Sequence, residues 1–228
     1  MVTETLNIII TVIILIISYL LGSIPFGLII GKAIKGTDIR QYGSKNIGST
    51  NAIRVLGKPT GFLVFACDVL KGMIGIGIVK ILVACNVMPL LIPEILFGIA
   101  AILGHSFSIF LDFKGGKAVA TSLGVVLMIC PLAAILCLIA FYLTLKISGY
   151  VSLASTFATL TVFITTLVLF ICGVPNADNF LTYFIAKQDL VVLILIGCVA
   201  TLIIVKHRKN YKRLLNGTEN SFKKKKAE

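Results

Sequence analysis

AVATSLGVVLMICPLAAILCLIAFYLTLKI, residues 118–147, is the stretch that decides the fold. As one helix it runs about 45 Å at 1.5 Å per residue, well past the ~30 Å of a bilayer's hydrocarbon. Pro131 stands at its middle, where a helix loses a donor and clashes with the preceding turn. The stretch therefore reads as two shorter helices, 118–129 and 132–147. Working outward, the other apolar segments are 6–34, 60–84, 90–111, 152–172 and 190–205.

Charge tests the same split independently. The loop after the first segment carries Lys35, Arg40, Lys45, Arg54 and Lys58. The tail carries Lys206, Arg208, Lys209, Lys212, Arg213 and Lys223 to Lys226. Basic residues collect on the cytoplasmic side, so both belong there. The loop with Lys114 and Lys117, two spans further on, belongs there too. An even number of crossings must then lead to the tail, and only the break at Pro131 supplies it. The sequence thus predicts an all-α membrane protein with seven transmembrane helices, N terminus outside and C terminus cytoplasmic. It forms one domain over residues 1–228, of which 206–228 is a basic cytoplasmic tail. The outer face then holds Glu4, Glu94, Asp178 and Asp189 against Lys80 and Lys187, and the polar motifs all fall on the inner side.

Composition agrees. The chain is 58% hydrophobic, and its mean hydropathy of +1.06 lies far above that of a soluble domain. Alternating short strands of the β-barrel type are absent. In a membrane protein a net charge of +12 is accounted for by cytoplasmic loops facing anionic lipid. No basic-aromatic module outside the spans points to nucleic acid. The six cysteines, Cys67, Cys85, Cys130, Cys137, Cys172 and Cys198, form no CxxC and no pairing with histidine, and read as small core hydrophobes. Residues 6–21 lack a preceding basic region and a following cleavage site, so they read as a retained helix.

Two loops carry the chemistry. The first holds Gly43-Ser44-Lys45-Asn46-Ile47-Gly48-Ser49-Thr50-Asn51-Ala52-Ile53-Arg54. Hydroxyls, amides and a guanidinium on a glycine-punctuated backbone are the groups that wrap a phosphate. An ordinary polar turn needs only a few residues; this loop has more than twenty, with five cations. The second loop, Phe113-Lys114-Gly115-Gly116-Lys117, opens a helix, so N–H groups, two lysines and a diglycine make an anion seat. The alternative is topological, two lysines holding the loop inside. It lacks the spacing of a nucleotide-binding P-loop.

His105 reads either as a structural hydrogen-bonder or as a site residue, and His207 opens a basic membrane-proximal run through Asn210 and Arg213. Asp68 and Lys71, three residues apart, are expected to pair with each other. Neither histidine is followed at short spacing by an aspartate, and no GxSxG or metal-ligand cluster occurs. Catalysis here must rest on positioning and electrostatics.

Together these motifs resemble the bacterial acyl-phosphate:glycerol-3-phosphate acyltransferase family along nearly the whole chain. The matching pieces are Gly22-Ser23-Ile24-Pro25-Phe26-Gly27, Asp38-Ile39-Arg40 with Gly43-Ser44 and Thr50-Asn51, Asp68-Val69-Leu70-Lys71-Gly72, Gly104-His105-Ser106-Phe107, the diglycine loop, Tyr150-Val151-Ser152, and His207-Arg208 with Asn210 and Arg213. The resemblance implies a multi-pass enzyme of the bacterial inner membrane with its active site facing the cytoplasm. It implies transfer of a fatty acyl group from acyl phosphate to the 1-hydroxyl of glycerol 3-phosphate, giving lysophosphatidic acid and phosphate, the first acylation of phospholipid synthesis. No cofactor, metal or obligate protein partner is implied; the partners are the two substrates and the bilayer.

By the same resemblance Ser44, Arg54, Lys117 and His207 are the expected catalytic residues. Asn46, Thr50, Asn51, His105, Lys114, Gly115, Gly116, Asn210 and Arg213 are the expected substrate ligands. Gly61, Gly72, Gly75 and Gly77 are expected along an apolar groove for the acyl chain. The chain departs from the family pattern at Lys45 and Ser49, usually glycine and alanine, at Ala118, usually glycine, and at Gly149, often basic. A secondary transporter for an organic phosphate is the rival reading, but no repeated halves are visible.

Overall fold

The computed structural model describes residues 2–173 and 189–222; Asp178, Lys187 and Lys223 to Lys226 of the charge count lie outside them. All regular structure among the described residues is helical. The helices are α1 (Val2–Ser23), α2 (Phe26–Lys35), α3 (Ser49–Leu56), α4 (Lys58–Ala84), α5 (Ile95–Ser106), α6 (Val119–Ile129), α7 (Pro131–Ser148), α8 (Val151–Cys172), α9 (Leu190–Lys206) and α10 (Arg208–Leu215).

The break at residue 130 falls where Pro131 places it. Pro131 opens α7 at its first position, where a missing N–H costs nothing. A second proline makes a break that hydropathy hides. Segment 6–34 reads as one apolar run, yet it is two helices, because Ile24 before Pro25 is pushed out of the helical region. The long polar loop also differs from its reading, since much of it is folded into a 3₁₀ turn at Ile39–Gln41 and helix α3.

Among the described residues four helices are long and apolar enough to cross a membrane, and a fifth crossing arises if α9 and α10, bent by 48°, count as one. Helices α5 and α6 are apolar but short. Large apolar side chains stand exposed along these helices: Ile8 and Ile16 on α1, Ile139 and Leu143 on α7, Ile164 and Ile171 on α8. In water such surface is a liability; in lipid it is the expected exterior. The protein is a multi-pass membrane protein.

The chain forms two compact units, Met1–Met128 and Ile129–Glu228. In the first, α4 packs against α1, α3 and α5. Gly61, Gly72 and Gly75 of α4 are covered rather than groove-lining, while Gly77 is half-buried with room beside it, which overturns most of the expected acyl channel. A side chain on Gly61 meets Ile53, on Gly72 the Thr121 carbonyl, and on Gly75 the Ser18 hydroxyl. Small residues there let backbones approach, the usual currency of helix association in lipid. In the second unit α7, α8 and α9 pack in sequence, and an apolar groove of about 580 Å³ lies between α8 and α9, lined by Leu160, Phe163, Ile194 and Ile204. Of the cysteines Cys130 and Cys137 are buried, whereas Cys85, Cys172 and Cys198 are exposed.

Candidate active site

In the first unit the loop before α3 is closed by amides. Its entry is pinned by Asp38, whose carboxylate takes Arg40 Nη2–H at 2.7 Å and Arg40 N–H at 3.0 Å. The Arg40 guanidinium holds that carboxyl down at about 2. Gly43 and Lys45 then turn the chain in the left-handed region, at φ 60° and 58°. Asn51 is buried, and its side chain is committed to backbone. Its Oδ1 accepts the Ser44 N–H at 2.8 Å, while Nδ2 donates to the Ile39 carbonyl at 2.8 Å and the Tyr42 carbonyl at 3.2 Å. Asn46 Oδ1 accepts the Gly48 N–H at 2.9 Å. Ser44, Thr50 and Arg54 are half-buried, with Thr50 and Arg54 one turn apart on α3. Below them Ile39, Ala52, Leu56 and Val64 form an apolar floor.

The second loop rests on His105. The His105 carbonyl accepts the Gly116 N–H at 2.9 Å. A side chain on Gly116 would strike His105 Nε2, and one on Gly115 the His105 carbonyl. Both glycines are therefore demanded by close approach. Asp112, Phe113 and Ala118 bracket the loop with φ values of 49°, 58° and 57°. Lys114 is exposed and Lys117 half-buried.

In the second unit His207 sits at the bend between α9 and α10, 2% exposed. Its Nδ1 lies 2.8 Å from the Ile203 carbonyl. A carbonyl only accepts, so Nδ1 carries a proton in this contact. Asn210 and Arg213 meet at Glu219, which sequence reasoning did not single out. Asn210 Nδ2 donates to Oε1 at 2.7 Å, Arg213 Nε to Oε2 at 2.7 Å, and Ser152 Oγ to Oε1 at 3.1 Å. Burial pushes the Glu219 carboxyl up, but the hydrogen bonds from Asn210 and Arg213 outweigh it and hold the group below its ordinary value. A lone carboxylate beside the run from Lys206 to Arg213 was its one sequence signal.

The expected site residues thus gather into three clusters: Ser44 to Arg54 on α3 and its loop, His105 with the diglycine loop, and His207, Asn210 and Arg213 around Glu219.

Fold and loops define a class: a multi-pass helical membrane protein that presents basic, glycine-punctuated loops of the kind that take phosphate groups. More narrowly, the chain belongs to the glycerol-3-phosphate acyltransferase family, whose profile matches residues 12–217. It is 42% identical over 208 residues to glycerol-3-phosphate acyltransferase 2 of Bacillus anthracis, covering 91% of this chain and 97% of that one. It is 44% identical over 210 residues to the glycerol-3-phosphate acyltransferase of Desulfotalea psychrophila, covering 92% and 97%. Among solved structures it is similar to PlsY (YgiH), an integral membrane glycerol 3-phosphate acyltransferase. The glycerol 3-phosphate form aligns with a TM-score of 0.77 at 38% identity, over 93% of this chain and 96% of that one. The lysophosphatidic acid form aligns with a TM-score of 0.75 at 38% identity, over 93% and 95%.

Proposed function

We propose that this chain transfers a fatty acyl group from acyl phosphate to the 1-hydroxyl of glycerol 3-phosphate. One observation carries the reading: the chain shares the fold of a protein solved in glycerol 3-phosphate and lysophosphatidic acid forms, the acceptor and product of this reaction. The hydroxyl oxygen attacks the acyl carbonyl carbon, the bond from that carbon to the phosphate oxygen breaks, and inorganic phosphate leaves. An acyl phosphate is already an activated mixed anhydride, so no covalent nucleophile is needed. The hydroxyl proton passes to an oxygen of the departing phosphate.

The protein's task is then to hold two phosphates and stabilise the developing oxyanion. Ser44, Thr50 and Arg54 take the acyl phosphate or its carbonyl, on a loop whose shape Asn46 and Asn51 maintain. Lys114 and Lys117 neutralise phosphate charge from the second loop, whose shape the Gly116 N–H bond to the His105 carbonyl maintains. By the family resemblance, His207, Asn210 and Arg213, with His105, help seat glycerol 3-phosphate or complete the catalytic geometry. Seven crossings with the N terminus outside put all three clusters on the cytoplasmic side, where both water-soluble phosphate groups are at hand.

Purified protein in detergent, given palmitoyl phosphate and labelled glycerol 3-phosphate, is expected to form lysophosphatidic acid without coenzyme A or acyl carrier protein. Uptake of the phosphate ester into sealed vesicles with no acyl product overturns the reading in favour of a transporter. Ser44→Ala and Lys117→Ala are each expected to abolish turnover in protein that still melts as wild type; wild-type rates in both sink the residue assignment.

A further inference from the structure

A buried ionic cluster lies under the second loop, joining His105 to two side chains, Asp68 and Lys71, to which the reaction scheme gives no part. Asp68 and Lys71 on α4 pair at 2.8 Å, with side chains 3% and 2% exposed. Lys71 Nζ also donates to the Ile24 carbonyl at 2.9 Å, beside the Pro25 break. On the other side of the carboxylate, His105 Nδ1 stands 3.6 Å from Asp68 Oδ1, its side chain 4% exposed. That separation exceeds a hydrogen bond, so charge and fit join the two groups. A His-Asp pair that no short sequence spacing encodes is thus assembled from α4 and α5. The opposite edge of the imidazole, Nε2, faces Gly116, and the His105 carbonyl holds the Gly116 N–H.

The geometry points to Asp68 as a positioning residue of the reaction: its carboxylate fixes the His105 ring, and the ring sets the shape of the Gly115–Gly116 loop and so the grip of Lys114 and Lys117 on a substrate phosphate. This rests on the reading of that loop as a phosphate seat. A carboxylate beside Nδ1 favours the proton there and orients the ring, as partners of functional histidines commonly do. Without it the imidazole loses its anchor and Lys71 is left as a lone buried charge. The loop has no room to absorb a tilted ring, because neither glycine tolerates even a methyl group. A displacement of about 1 Å at a positioning element costs roughly a hundredfold in rate or affinity.

Wild-type protein in detergent, assayed with palmitoyl phosphate and glycerol 3-phosphate, comes first; no product there overturns the parent reading and this one with it. In Asp68→Asn the KM of one of the two substrates is expected to rise about tenfold or more, with kcat within about threefold and the other KM unmoved. Asp68→Leu combined with Lys71→Met removes both charges at similar volume and is expected to keep the fold while showing the same KM rise. Wild-type KM values in either folded variant overturn the proposal. So does a fall in kcat that tracks loss of folded protein with both KM values unchanged. Failure of both variants to fold overturns it as well, since the cluster is then a stability element alone.

Discussion

The first loop and the tail hold their shapes by different chemistry. Beyond the Asp38–Arg40 pair at its entry, whose carboxyl stays charged down to about 2, the first is closed by neutral groups, the amides of Asn51 and Asn46 on backbone N–H and carbonyl partners. The tail is closed by a carboxylate, Glu219, gripped by Asn210, Arg213 and Ser152. A loop built on neutral hydrogen bonds keeps its shape at any moderate pH; one built on an ionised acid keeps it only while that acid stays charged. The two regions therefore have separate acid sensitivities, although the resemblance assigns both to one reaction.

The largest effect is expected at Asn51. Asn51→Ala leaves the Ser44 N–H and the Ile39 and Tyr42 carbonyls without this partner, and one to three buried groups cost about 3 kcal/mol together. Thermal melting in detergent should show that loss equally at pH 5 and pH 8, with activity falling alongside. A loss that grows toward acid would mean that charge also holds the first loop.

Glu219→Gln comes next, at about 1–2 kcal/mol, because the shape survives while charge-assisted bonds become neutral ones. Since the folded carboxyl lies below its ordinary 4.5, its contribution is complete above that pH and is lost as the pH falls through the folded value. Melting temperature against pH should therefore drop in the wild type below about 4.5 more than in Glu219→Gln. Parallel curves would show that Glu219 does not act through its charge.

The smallest effect is expected where side chains stand in the left-handed region beside the loops. Lys45→Gly and Ala118→Gly relieve a conformation costing L-residues about 1–2 kcal/mol, offset in part by the greater freedom of glycine when unfolded. Each should raise stability by up to about 1 kcal/mol, read as a small gain in melting temperature. A loss of stability at either site would mean that the side chain's own contacts outweigh the strain.

These residues also show what the sequence made legible. Pro131 divided an over-long apolar run because length and breaker coincided, whereas Pro25 was passed over because hydropathy stays high on both sides of it. Lys45 and Ala118 were visible as departures from a glycine pattern, and both sit at positive φ, so the departure marked a real backbone demand. Hidden from sequence was the division of polar residues between scaffold and site. Asn51 and Ser44 look alike as phosphate ligands, and only the fold shows the amide of Asn51 facing its own backbone. Glu219 was not singled out at all, since only the fold returns it to Asn210 and Arg213. Asp68 and His105 meet through helix packing, which no spacing rule encodes.

The bond from Lys71 to the Ile24 carbonyl spans 47 residues, and it bears on how the protein is made. The ribosome releases α1 and α2 well before α4, so the polar backbone at the Pro25 break enters the bilayer without the ammonium group that later serves it. The Ile24 carbonyl keeps the Phe26 N–H at 3.1 Å, and its second lone pair is served only once α4 is in place. Insertion of α4, bringing Lys71 together with Asp68 to balance it, therefore completes the break between α1 and α2.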